Sequence, residues 1–424
     1  MSKQKSGSKK QKPIRVGVIG VGRGMSYAHA ATSAIGMQLV ALCDGRKDAL
    51  RKAGKALGVK TYTRYDRFLQ HDMDAVVLAN YFHEHAPFAI KALDAGKHVM
   101  SETSCNSTLA EGVALCRKVE ETGLIYMLAE NYPYTVFNLE MRRLYRAGVI
   151  GDVRYAEGEY NHPMHADDIN RISCGEEHWR NCIPSTYYCT HAMAPLMQVT
   201  NTMPVRVNAR AFTTPRMRAE TARRGDGGSV ILCEMDNGAI FRLMGMGIAG
   251  HSNWYRFHGT RGAMENTRGA ERYFGPEEVR VWHDPWDLKP GEEAERVYKP
   301  DWPLHGELAK AAGHGGGDFW TNYEFAKAIR SGRQPFLNVY RGVSMSSVGI
   351  LAWRSALANG EPIEVPDFRK EKQRKIIEDD HWTPFSSDAR PADAPPSIEG
   401  FRKASKQGLA AARKDWKKQG YTGQ

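Results

Sequence analysis

Two groups of residues in this 424-residue chain have the types and spacing to do chemistry. The first is a run of glycines, Gly20, Gly22 and Gly24, directly after the β-branched stretch Ile14–Ile19. Glycines at a strand-to-helix turn let the backbone bend sharply and let a pyrophosphate approach the N–H groups of the helix start. The spacing is Gly-x-Gly-x-Gly, with Arg23 inside it and Met25 where a third glycine of the fuller pattern would stand. Asp44 follows a second apolar stretch, Gln38–Leu42. A carboxylate there can accept hydrogen bonds from both ribose hydroxyls of an adenosine and would repel a 2′-phosphate, which favours NAD over NADP. Arg46 points the other way, since a nearby arginine can accommodate that phosphate, and Asp44 could also simply cap the helix that follows.

The second group is Tyr188 and His191. Three residues apart, they share one face if the chain is helical there. An imidazole with an ordinary pKa near ~6.5 is poised for proton exchange at neutral pH, and a phenol near ~10 suits hydrogen bonding or proton donation. The plain alternative is a satisfied core histidine beside a core aromatic. His162, His165, His178, Asp167 and Asp168 invite a metal site, but their spacing fits no compact ligand motif. No metal is expected.

The elements that must position these residues are legible as alternating strands and helices. Asp48–Leu57, Tyr65–Gln70 and Ala86–Ala95 read as helical, with strands from Asp74 and over His98–Ser101. This alternation argues a right-handed, doubly wound parallel sheet. Ligands bind beyond the carboxyl ends of such strands, where Asn80, His83, His85 and Glu102 fall. Further on, Val153–Tyr160, Val205–Phe212, Ser229–Met235, Ala239–Gly245 and Asn253–Gly259 are strand-like, with Asp236-Asn-Gly as a hairpin turn. They imply a mostly antiparallel sheet, to which Phe319–Arg330 and Val343–Ala358 return as helices. The expected architecture is α/β: a Rossmann doubly wound sheet followed by an α+β domain with an open sheet. Residues 1–13 are expected to be a basic tail, 14–135 the NAD-binding domain, 136–368 the substrate and oligomerisation domain, and 369–424 a charged extension. That extension has a helical stretch at Phe401–Lys418, and is expected to wrap the body or a partner subunit, or to stay mobile.

Charge excludes one class of partner. The net +11 resides in the ends: five lysines in residues 1–13, and 13 basic against 8 acidic residues in 369–424. The tails carry ten of the eleven charges, so the body offers no basic face for nucleic acid. No apolar run is long enough to span a bilayer, and the lysine-rich start lacks the apolar stretch of a secretory signal. Seven scattered cysteines fit reduced thiols in the cytoplasm.

From Ile14 to Glu102, including Ala92-Leu-Asp-Ala-Gly-Lys-His-Val, the sequence resembles the Gfo/Idh/MocA oxidoreductases. His178-Trp-Arg, Tyr188-Cys-Thr-His191, Gly313-His-Gly-Gly-Gly-Asp318 and Gly332–Tyr340 resemble that family's NAD-dependent glycosidase branch, known for α-N-acetylgalactosaminidases. The resemblance covers roughly residues 14–368. It implies NAD as cofactor, a sugar or glycoside as ligand, and a homo-oligomer, dimer or tetramer. It implies catalytic roles for His191 as base, Tyr188 and Glu102, and substrate contacts for Tyr160, His162, Arg180 and His314. It also adds Asn131 and Tyr340 to the cofactor residues Gly20, Gly22, Arg23, Gly24, Asp44, Asn80, His83, His85 and Glu102. The family usually has Glu-Lys-Pro where this chain has Glu102-Thr-Ser. Threonine cannot supply a cationic proton donor, which argues against ordinary lysine-assisted alcohol oxidation. Arg341 also stands where that branch usually has aspartate.

Three functions follow as expectations. The first is a glycosidase in which hydride leaves C-3, the ketone acidifies C-2, the C-1 group is eliminated, water adds and the hydride returns. The second is a sugar 3-dehydrogenase releasing a keto-sugar. The third, least favoured, is a non-catalytic NAD-linked sensor. Turnover without net NADH would mark the first, stoichiometric NADH the second, and tight NAD binding with neither the third.

Overall fold

The computed structural model describes residues 12–250, 253–268, 275–387 and 390–421; most of the expected basic tail lies outside them. Strands β1 (Ile14–Ile19), β2 (Met37–Cys43), β3 (Lys60–Tyr62), β4 (Ala75–Leu78), β5 (His98–Ser101) and β6 (Tyr126–Leu128) form one sheet, in the order β3-β2-β1-β4-β5-β6. All its pairings are parallel. The central strands are buried on both faces, with Val16, Val18, Val76, Val77 and Val99 fully enclosed, as parallel sheets covered by helices require. The strand order reverses between β1 and β4, and the resulting crevice is where such sheets bind ligands.

The second sheet has nine strands: β7 (Val153–Asn161), β8 (Pro204–Phe212), β9 (Gly228–Met235), β10 (Ile240–Met246), β11 (Trp254–Gly259), β12 (Ala263–Asn266), β13 (Val279–Trp282), β14 (Glu295–Tyr298) and β15 (Ile363–Glu364). Their order is β14-β13-β12-β11-β7-β10-β9-β8-β15, antiparallel except where β10 lies parallel to β7. The Asp236-Asn-Gly turn joins β9 to β10, with Gly238 at a φ of 77°. Alternation along β7, β10 and β11 buries one face of this sheet against the helix Thr190–Thr200.

Two later helices tie the sheets together. Gly317–Ser331 returns to the first sheet, where Arg330 donates to the carbonyls of Ile35 and Gly36. Val339–Leu357 runs between β6 and β8, with Trp353 buried. One hydrophobic core consequently spans both sheets.

Residues 369–387 and 390–421 pack on the chain's own body. Arg354 pairs with Asp380, and Trp353 Nε1 donates to the carbonyl of Pro395. The final helix, Lys406–Lys418, shorter at its start than the sequence suggests, buries Ala412 and Trp416 against Ala222 in a small separate core. Ser405 caps it by accepting from the Gly408 N–H, so Phe401–Ala404 precede the helix.

Candidate active site

At the carboxyl end of β1, the three glycines do three jobs. Gly20 has a φ of +97°, and a Cβ there would lie 2.2 Å from the Ala79 carbonyl oxygen. A Cβ at Gly22 would meet nothing nearer than the Arg46 guanidinium at 3.5 Å, so its backbone is open to a ligand. A Cβ at Gly24 would come within 2.8 Å of Val18, so glycine permits close packing of helix on strand. This is the cradle a pyrophosphate needs. Asp44 follows β2; its Oδ2 accepts from the Val21 N–H at 2.8 Å and its Oδ1 from the Arg46 N–H at 2.8 Å. Burial pushes its pKa up, but Arg46 and these amides outweigh burial and hold it below the usual range. The Arg46 guanidinium folds back onto this carboxylate at 3.1 Å. These residues fit a dinucleotide with a free 2′-hydroxyl.

The crevice opens into a cavity of about 340 Å³ between the two sheets. Glu102, just past β5, accepts from Arg23 Nε at 2.6 Å, Tyr27 Oη at 2.8 Å and the Thr103 N–H at 3.0 Å. Burial raises its pKa, but Arg23, Tyr27 and His191 outweigh that and leave it lowered. Arg23 continues to Asp318, at 2.7 and 3.0 Å, and Asp318 also accepts from Asn131 Nδ2 and His314 Nδ1, both at 2.9 Å. Despite full burial, Asp318 is held well below the ordinary carboxylate range by His314 and Arg23. This network links the first sheet to the returning helix Gly317–Ser331.

His191 sits one residue into the helix Thr190–Thr200. Tyr188 is not on that helix: it lies in the turn before it, and the turn rather than a shared helical face brings the rings to 5.0 Å between centroids. Tyr160 and Tyr132 each approach the imidazole to 4.5 Å. Burial raises the pKa of Tyr188, Tyr160 and Tyr132, so all three remain phenols at neutral pH. His191 Nδ1 donates to Glu130 Oε1 at 2.6 Å, and Glu130 is fully buried. Nδ1 is thereby fixed as the protonated nitrogen, leaving Nε2 for exchange with a ligand.

Of the residues singled out in the sequence, Arg23, Asn80, His85, Glu102, Asn131, Tyr160, His162, Arg180, Tyr188, His191 and His314 all line the cavity. Two do not. His83 stacks on Phe385 of the C-terminal extension and lines a separate cavity of about 140 Å³. Tyr340 lies in the first turn of the helix Val339–Leu357 and donates its hydroxyl to Glu120 at 2.6 Å, outside the cavity wall. Thr103 stands where the family has lysine, and its hydroxyl is engaged by Thr190 Oγ1 at 2.6 Å. His165 instead accepts from the Asp167 N–H at a helix start, and among the described residues no three His, Cys, Asp or Glu side chains gather as metal ligands.

Sequence reasoning missed Glu130, Asp318 and Tyr27. Glu130 falls just past β6 as Glu102 falls just past β5, so position relative to the strand was the available signal. Asp318 lay inside a recognised motif, but its role depends on Arg23, 295 residues away in the chain. Nothing in the sequence marks Tyr27.

A doubly wound sheet with this glycine cradle, whose Glu130 just past β6 pairs with His191 of the second domain, defines an NAD-dependent enzyme of two sheets. Residues 14–130 match the family model "Oxidoreductase family, NAD-binding Rossmann fold", and residues 138–265 the "GFO/IDH/MocA C-terminal domain". Residues 244–375 match the "Glycosyl hydrolase 109, C-terminal domain". The chain belongs to the Gfo/Idh/MocA oxidoreductase family. A glycosyl hydrolase family 109 protein of Phocaeicola vulgatus is 28% identical, over 86% of this chain and 85% of its own. An alpha-N-acetylgalactosaminidase of Shewanella oneidensis is 25% identical, over 85% and 86%. Levoglucosan dehydrogenase, solved with NADH and L-sorbose, shares the fold with a TM-score of 0.72 at 20% identity, covering 84% of this chain and 100% of that one. Among the described residues no helix is long and apolar enough to cross a membrane.

Proposed function

We propose that this enzyme is a glycosidase that works by transient oxidation at C-3 of a sugar, elimination of the C-1 substituent and hydration, with NAD recycled in place. The observation that carries this reading is His191 facing the cavity with the buried Glu130 carboxylate paired behind it. Gly20, Gly22 and Asp44 would hold the NAD, which supplies a hydride acceptor that later returns what it took. His191 Nε2 removes the C-2 proton, and Glu130 stabilises the imidazolium that forms. Tyr188, kept a phenol by burial, donates a hydrogen bond or proton to a sugar oxygen. Thr103, bound to Thr190, cannot replace the family's lysine as a charged donor. The relatives named as family 109 hydrolases support the glycosidase over a plain dehydrogenase.

A sugar dehydrogenase releasing its keto product is the second reading, favoured by the fold shared with levoglucosan dehydrogenase. Free thiols at all seven cysteines suit a reducing cytoplasm. The open face of the nine-stranded sheet, with Leu232 and Ile240 exposed, suits pairing into a homo-oligomer.

Turnover of aryl glycosides in D₂O tests the proposal. Deuterium at C-2 of the released sugar, without net NADH, is expected. Stoichiometric NADH and an undeuterated product would leave the dehydrogenase as the better account.

A further inference from the structure

Arg180 and Arg223 both line the cavity, and neither has a carboxylate partner among the described residues. The Arg180 guanidinium lies over the Trp179 ring at 4.3 Å. Arg223 Nε is shielded from solvent and makes no hydrogen bond. The neighbouring arginines share a bare Nε but are ion-paired through their terminal nitrogens, Arg218 with Asp226 and Glu399, and Arg224 with Glu177. The acids on the cavity wall are already committed. Asp226 accepts from Arg218, Ser397 Oγ and the Ile398 N–H, and Glu102 is held by Arg23.

The wall is electrostatically unbalanced. Burial, reinforced by the Arg180 charge, brings Arg223 down to about 10. Burial together with Arg180 and His83 takes His178 down to about 3. An enclosed cation without a counter-ion is costly unless a ligand supplies one.

The C-terminal extension keeps Arg223 in place despite that cost. Ala222 is buried against Ala412 and Trp416. A Cβ at Gly408 would lie 2.2 Å from the Thr221 carbonyl oxygen and 2.4 Å from that of Arg218, so the last helix sits directly on this segment. On the other side the Arg224 N–H donates to the Asn181 carbonyl at 2.7 Å.

We propose that Arg180 and Arg223 form an anion subsite, and that the sugar bound in this cavity carries a carboxylate or sulfate group. Planar guanidinium forks match the oxygens of either group. The proposal rests on the reading of the cavity as a sugar site, and names the class of sugar.

The test is calorimetric titration of the full NAD-loaded chain with paired methyl glycosides. Glucuronate is compared with glucose, galacturonate with galactose, and N-acetylgalactosamine 6-sulfate with N-acetylgalactosamine. In at least one pair the acidic member is expected to bind about tenfold tighter or more, as charge-assisted hydrogen bonds allow. Which pair shows it separates carboxylate from sulfate. Arg223→Gln should shrink that preference and Arg223→Lys restore part of it; if the glutamine variant fails to fold, Arg180→Gln serves instead. Equal or tighter binding of every neutral partner, or a preference that survives Arg223→Gln unchanged, overturns the proposal. Acidic preference without glycoside turnover would remove the glycosidase reading and keep the subsite. Turnover of neutral glycosides with C-2 deuteration and no acidic preference would do the reverse.

Discussion

Tyr255 Oη donates a hydrogen bond of 2.9 Å to the backbone carbonyl of His191. Four residues further along the same helix stands Pro195, which has no N–H to offer that carbonyl. The proline leaves one buried acceptor unpaired within the helix, and a strand of the second sheet supplies the missing donor. Tyr255 is itself fully buried, so the residue proposed as base is fixed through its backbone as well as its ring.

Tyr255→Phe should therefore leave the His191 carbonyl unsatisfied. The expected loss is about 1–3 kcal/mol of stability, the cost of an orphaned buried polar group, measurable by denaturant unfolding. Turnover should fall less than in His191→Ala.

Glu130→Gln keeps the shape of the pair but removes the charge that stabilises a protonated His191. His191→Ala should lower turnover by roughly 10²–10⁴-fold, the usual contribution of a positioned acid–base group, and Glu130→Gln should approach it. Steady-state rates on a common glycoside compare the two. Near-wild-type turnover in Glu130→Gln would mean that the carboxylate serves packing alone.

Asp44 is proposed to meet the adenosine ribose, and its lowered pKa keeps it ionised at neutral pH. Tighter binding of NAD than NADP is expected in isothermal titration. Asp44→Asn should narrow the difference, with Arg46 then free to meet the phosphate. An unaltered ratio would assign the discrimination elsewhere.

Acid stability should report Asp318. Its folded pKa is depressed by His314 and Arg23, below an unfolded value near ~3.9. Its contribution is therefore complete above about pH 4 and is lost as pH falls toward the folded value. Melting temperature followed from neutral to acid pH should drop more shallowly in Asp318→Asn, which starts from a lower plateau. An identical acid limb in both proteins would show that this carboxylate does not carry the effect.

By itself the sequence determined the local features. Alternating apolar stretches and glycine placement specified the parallel sheet, because those signals act within a few residues: Gly20 must turn, and Val16 and Val18 must be buried. The Asp236-Asn-Gly hairpin was legible for the same reason. Short edge strands were not, since β3, β14 and β15 are two to four residues long and are stabilised only by the neighbour each pairs with. The family motifs pointed to the cavity, yet the tertiary structure decided how its groups act. Glu130 reaches His191 across 61 positions, and Asp318 reaches Arg23 across 295, distances over which no local pattern survives. Tyr340 and His83 show the converse, standing within family-like runs of the chain while Glu120 and Phe385 hold them outside the cavity. The C-terminal extension reads as a charged tail because its composition is polar. Only the docking of Ala412 and Trp416 on Ala222 makes it part of the wall that carries Arg223, since burial of that small apolar cluster depends on a surface some 190 residues earlier in the chain.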